Sequence, residues 1–284
     1  MLKKIFFAAA LLLASELGAK PVVIASIAPV GYLAKAVGGD KIEVQSLAKG
    51  DVHSYEPKPN DMKAVAKARI FIAAGLEFEE AWIPRFKASA KNLVVVKSDA
   101  KIAKLKEERG EQAEHDEKHE AHADPHVWLN PMLAITMARN ISDALIDMDK
   151  ANKDFYLENF QKLMNDLLAF DESAKNELAG LKNRKFVVYH PAWGYFAAHY
   201  DLEQISIERS GKEPKIDEMA STLKMIKDEN IKVIFADPNR SQKSAQILAS
   251  QTGAKVELLD PLGYNLLENL KIAVGAIKDA NSPK

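Results

Sequence analysis

Eight short apolar runs fall into two groups of four with a long helical block between them, and this spacing limits the possible folds more than any other feature of the chain. Four runs, at 22–27, 42–47, 70–74 and 93–97, precede residue 100; four more, at 186–189, 204–207, 233–236 and 256–259, follow residue 185. They are near-continuous in branched and aromatic residues, which is the pattern of strands covered on both faces by helices. Amphipathic stretches at 30–37, 60–67, 79–90, 215–228, 241–251 and 265–279 lie between and after them. Strands alternating with helices predict βα units and mostly parallel sheets.

The block from 152 to 180 carries Tyr156, Phe160, Leu163, Leu167, Ala174 and Leu178 on one stripe, with Gly180 as its stop. Steps of three and four fit a helix, and about 28 residues at 1.5 Å each make a rod of ~42 Å. The expected fold is α/β: two Rossmann-like lobes with four-stranded, mostly parallel sheets, joined by one long helix. The expected division is a leader at 1–19, a first lobe at 20–149, a linking helix at 150–181 and a second lobe at 182–284. A helical connector predicts less hinge motion than crossing strands would allow.

The leader reads as a secretory signal peptide. Lys3 and Lys4 precede ten consecutive apolar residues, Ile5 to Ala14, and small residues follow at Gly18 and Ala19. Ten apolar residues are too few to span a bilayer. The chain has no cysteine, so it lacks the residue that lipid-anchored bacterial exported proteins use, and a periplasmic protein without a membrane anchor is expected. Lys and Arg number 39 against 40 Asp and Glu, a balance that gives no electrostatic reason to expect nucleic acid or an anionic membrane as partner. A monomer is expected.

Three histidines and one aspartate sit where strands run out: His53 in GDVHSYEPKP, His126 in DPHVWLNP, His190 in YHPAWGYF and Asp260 in LLDPLG. Open α/β sheets bind ligands beyond the carboxyl ends of their strands. Three neutral imidazoles and a carboxylate suit Zn²⁺, which takes nitrogen and oxygen ligands at tetrahedral corners. Prolines 57, 131, 191 and 261 follow the four residues closely and restrict their loops. Singly, each histidine could be a hydrogen-bonding loop residue and Asp260 a turn or cap residue. His199, late in a short helix, reads as structural. Between 104 and 124 an acidic stretch poor in apolar residues carries His115, His119 and His122; it reads as a surface insert with little packed structure and an auxiliary, low-affinity metal site.

The segments HSYEPKP, DPHVWLNP, HPAWGYFA and LDPLG resemble, in order and spacing, the zinc- and manganese-binding receptors of ABC importers, the cluster A-I solute-binding proteins. The resemblance runs from about residue 21 to the C-terminus and implies a metal held between two lobes by His53, His126, His190 and Asp260. It also implies an ABC permease as partner and a metal cargo in place of a catalytic role. Manganese receptors generally carry glutamate where this chain has His190, so the likeness is to the zinc-binding (ZnuA-type) periplasmic receptors; imidazole favours Zn²⁺ and added carboxylate favours Mn²⁺. Val52 departs from relatives with an acidic residue before the first histidine. Glu56, Trp128 and Trp193 are expected around the ligands, the tryptophans as an apolar shell. Glu208 and Arg209 resemble a loop that supports the site. The rivals are a manganese or iron receptor of the same fold, and a zinc hydrolase with Glu56 as base, against which stands the absence of an HExxH helix.

Overall fold

The computed structural model describes residues 20–106, 123–208 and 216–281. The first lobe contains β1 (Val22–Ala25), β2 (Glu43–Ser46), β3 (Ile70–Ala73) and β4 (Val94–Lys97), in the order β2-β1-β3-β4. The second contains β5 (Lys185–Val188), β6 (Glu203–Ser206), β7 (Val233–Ala236) and β8 (Lys255–Leu258), in the order β6-β5-β7-β8. Every pairing within the two sheets is parallel. Each apolar run of the sequence coincides with one strand, the ends shifting by no more than two residues.

The helices are α1 (Ala28–Gly38), α2 (Pro59–Val65), α3 (Glu77–Ser89), α4 (Pro131–Met148), α5 (Lys153–Leu178), α6 (Gly194–His199), α7 (Ile216–Asp228), α8 (Lys243–Thr252) and α9 (Leu266–Asn281). The block at 152–180 is α5, and the 18-residue α4 ahead of it is an element the stripe pattern did not single out. The start of α4 is set locally: Asn130 caps it by accepting from Met132 N at 2.9 Å and Leu133 N at 3.3 Å, with Pro131 as its first residue, where the missing N–H costs nothing. Helix α5 has 26 residues, about 39 Å at 1.5 Å per residue. Its stripe of Tyr156, Phe160, Leu163, Leu167, Ala174 and Leu178 is buried throughout.

Successive strand residues point to opposite faces, and both faces of each sheet are covered. Val23, Ala25, Ile70 and Ile72 of the first sheet and Phe186, Val188, Val233 and Phe235 of the second face one shared core with α1, α4, α5 and α9. The alternate residues face outward into separate cores: Ile24 and Phe71 meet Val65 of α2 and Phe86 of α3, and Val187 and Ile234 meet Ile226 of α7 and Leu248 of α8. This two-sided burial is why the strands read as continuous apolar runs. It also means that the lobes share a hydrophobic interior, a firmer coupling than the polar interfaces that let domains swing freely.

The leader at 1–19, the insert histidines His115, His119 and His122, and Arg209 with the following SGKEP lie outside the described residues. Among the described residues, no helix is long and apolar enough to cross a membrane.

Candidate metal centre

The carboxyl ends of the two sheets face a common cleft, and His53, His126 and His190 meet there. Their metal-ligating nitrogens all lie within 4.8 Å of one another. The rings form a near-equilateral triangle, with centroids 5.4 Å apart for His53 and His126, 5.1 Å for His53 and His190, and 5.3 Å for His126 and His190. Tetrahedral zinc with Zn–N near 2.05 Å needs nitrogens about 3.3 Å apart, a spacing inside the 4.8 Å that bounds the three nitrogens.

Each histidine is held differently. His53 lies on the loop after β2, where Asp51 Oδ1 accepts from the His53 amide at 3.2 Å and Asp51 Oδ2 from the Ser54 hydroxyl at 3.0 Å. Val52, between them, is buried in the shared core. His126 sits between a turn and the buried 3-10 turn Val127–Leu129. Asp124 Oδ1 accepts from the His126 amide at 2.9 Å and pairs with His126 Nδ1 at 2.8 Å. His190 follows β5 by two residues; its Nδ1 faces Glu208 Oε2 at 3.2 Å and Arg240 Nη1 at 2.7 Å. The engaged Nδ1 atoms of His126 and His190 leave Nε2 to face the centre. His53 Nε2 is buried and has no hydrogen-bond partner.

An imidazole in such a place is costly unless something ligates it. Burial, followed by the neighbouring His126, pulls His53 down to about 4. His190 is lowered well below the ordinary histidine value, first by burial and then by His126, Arg240 and His53. Both rings are therefore neutral at pH 7, the form that binds metal. A cavity of about 10 Å³, room for a single small particle, is lined by all three histidines together with Asp51, Asp237, Arg240, Pro261 and others. A wider cavity of about 180 Å³ reaches His126 and His190 from the base of the insert at Leu105 and Lys106. That base is pinned to α6: Tyr195 Oη accepts from Leu105 N at 2.8 Å and donates to Asp124 O at 2.7 Å.

Asp260 stands apart from the triad. Its Oδ1 accepts from Asn239 Nδ2 at 2.7 Å and from Leu262 N at 2.9 Å, which turns that oxygen into the loops of its own lobe. Two other carboxylates line the small cavity, Asp51 and Asp237; Asp237, directly after β7, is buried, which pushes its pKa up. Glu56 is exposed, and the carboxylates against the imidazoles are instead Asp124 and Glu208. Trp128 is fully buried, with its ring 5.2 Å from that of His126 and its Nε1 donating to Pro261 O at 2.8 Å, a hydrogen bond across the cleft. Trp193 is buried and its amide donates to Gln204 Oε1 at 2.7 Å. His199 lies outside the triad, its Nε2 2.6 Å from Asp171 of α5.

Asp51, Asp124, Asp237 and Arg240 are site residues that the sequence alone did not single out. Asp237 follows a strand just as His190 does and could have been found by the same rule. Asp124 was legible only as part of DPHVWLNP. Arg240 carried no local signal.

Fold and triad together define a two-lobed solute-binding protein with a metal-ligating cleft. Residues 23–280 match the family described as the periplasmic component A of zinc-uptake complexes, ZnuA, and the chain belongs to that family. It is similar to the high-affinity zinc uptake system protein ZnuA of Bacillus subtilis (strain 168), 30% identical over 288 residues, covering 94% of this chain and 89% of that protein. A crystal structure of ZnuA superposes with a TM-score of 0.87 at 35% identity, covering 93% of this chain and 100% of that one. A zinc-bound ZnuA lacking its residues 138–173 gives 0.86 at 34% identity, covering 93% and 99%.

Proposed function

We propose that this protein is a periplasmic receptor that captures Zn²⁺ and delivers it to the permease of an ABC importer, with no catalytic role of its own. The observation that carries this reading is the convergence of three imidazoles from distant loops, with an orphaned, buried His53 Nε2 among them. His53, His126 and His190 would ligate the ion through Nε2. Asp260 would supply a fourth, oxygen ligand once Asn239 releases it, with Asp237 as the nearby reserve of negative charge. His115, His119 and His122 would form a weaker auxiliary site.

The mature protein would begin near residue 20 after export, without a lipid anchor, act as a monomer, and divide into lobes at 20–149 and 182–284 around a linker at 150–181. Relatives named as zinc uptake proteins support the cargo. A manganese or iron receptor is the second reading, and His190 in place of a carboxylate weighs against it, since the donor set is rich in imidazole. A hydrolase would need a base aimed at an open coordination position, and exposed Glu56 is a poor candidate.

The test is metal competition on the apo-protein, wild type against His190→Glu, with Zn²⁺ and Mn²⁺ at equal activity. Zinc should dominate in the wild type and lose ground to manganese in the variant. Equal preference in both would overturn the cargo assignment.

A further inference from the structure

Arg240 is an unusual neighbour for a residue that is to bind a cation. It lies on the loop between β7 and α8, its side chain is 16% exposed, and it reaches two acceptors with a third carboxylate close by. Nη1 is 2.7 Å from His190 Nδ1, Nη2 donates to Glu208 Oε1 at 3.0 Å, and Nη2 is 3.9 Å from Asp51 Oδ2 on the opposite lobe. A guanidinium is always charged and only donates. His190 Nδ1 must therefore accept from it, which places the imidazole proton on Nε2, the nitrogen that faces the other two histidines. In that tautomer His190 cannot ligate.

A second arrangement is built into the same residues. With the proton on Nδ1, His190 donates to Glu208 Oε2, 3.2 Å away, and Nε2 presents its lone pair to the centre. The partner of a ligating histidine is ordinarily such a carboxylate, which fixes the tautomer. An N–H of Arg240 would then meet the N–H of His190, so the guanidinium has to leave. Glu208 Oε1 already holds one of its nitrogens, and Asp51, on the loop that carries His53, is the next carboxylate within reach.

We infer that Arg240 is a positioning residue that couples metal occupancy to the contact between the lobes: in the empty site it holds His190 in the non-ligating tautomer, and metal entry displaces it toward Asp51. The inference rests on the proposed ligand role of His190. It gives the receptor a means of release that needs no energy source of its own. A permease that draws the Asp51 loop away would return the guanidinium to His190 Nδ1, and the returning proton on Nε2 would compete with the ion. It also sets a permanent positive charge beside a dication, which weakens binding at equilibrium and speeds dissociation.

Two measurements test this. Long-range ¹H–¹⁵N correlation of the metal-free wild type should show His190 with its proton on Nε2; Arg240→Met, which has no donor, should show it on Nδ1, and Arg240→Lys should retain the wild-type form. Chelator competition with Zn²⁺ should give Arg240→Met an affinity about tenfold tighter than wild type, a change at the low end of what partners of metal ligands produce, with correspondingly slower release; Arg240→Lys should stay near wild type. A metal-free wild type already protonated on Nδ1 overturns the inference, and that spectrum needs no variant to fold. Binding by Arg240→Met that is equal to or weaker than wild type overturns it as well. Failure of the wild type to bind zinc at all would instead sink the proposed cargo, a result the tautomer spectrum cannot mimic.

Discussion

The two lobes have the same strand order and the same parallel sheets, yet they position their histidines by different means. In the first lobe the supports are local: Asp51 and Asp124 each lie two residues before the histidine they hold. In the second, His190 is held by Glu208, 18 residues away, and Arg240, 50 residues away. Local turns form with little loop-closure cost and keep one geometry, so His53 and His126 make a preformed half-site. The His190 half exists only when three separate loops meet at the ends of β5, β6 and β7, and its hydrogen bonds offer more than one arrangement. One half of the cleft is built to hold, and the other is built to change.

The comparison presumes that the lobes stand as one body on their shared core, and the largest expected effect tests that. Leu167→Ala, in the middle of α5 and fully buried, should cost about 2–5 kcal/mol and lower a single thermal transition of the metal-free protein. Two separated transitions in calorimetry would show the lobes to be independent.

Next comes the pH response. His53 has a folded pKa of about 4 against about 6.5 unfolded, so between these values the unfolded chain binds the extra proton. The metal-free protein should therefore lose stability as pH falls from about 6.5 toward 4, by up to about 1.4 kcal/mol per unit from this residue. His190 adds to the loss in the same direction. Urea unfolding at pH 7, 6 and 5 should show a shallower slope for His53→Gln than for wild type. An unchanged slope would mean that His53 is not buried neutral.

The contrast between local and distant supports sharpens with Asp124→Asn and Glu208→Gln. Loss of such partners ordinarily costs 10–100-fold in metal affinity, in round terms about 1.4–2.7 kcal/mol. Asp124→Asn keeps an oxygen for the His126 amide and should fall near the low end. Glu208→Gln removes the charge that orients both His190 and Arg240 and should fall near the high end. Titration against a zinc chelator checks the order, and a reversed order would break the comparison.

The smallest effect is expected at the hydrogen bond that crosses the cleft. Trp128→Phe keeps an aromatic ring and removes the donor to Pro261 O, which should cost about 1 kcal/mol and loosen the loop carrying Asp260. Stability by urea unfolding should drop by that amount, with zinc affinity changing less than in Asp124→Asn.

Much of the architecture was legible in the chain because short-range rules dictate it. The central strands β1, β3, β5 and β7 are buried on both faces, so their runs are almost wholly apolar, and the stripe from Tyr156 to Leu178 repeats at helical spacing because one side of α5 is interior. Helix α4 was less visible because its apolar residues are diluted among Ser142, Thr136 and Asn140, and its cap at Asn130 is read only once the helix is known. The histidines stood out because each lies in a loop with a proline close by.

Sequence by itself determined which elements form and which imidazoles lie in proline-flanked loops, since periodicity, capping and turn chemistry act over a few residues. Only the tertiary structure decided which distant groups serve His190 and which carboxylates reach the cavity. It set Asp260 back against Asn239, brought Asp237 to the cavity and laid Arg240 on His190, because hydrogen bonds between loops distant in the chain depend on how two sheets and their helices pack around one core.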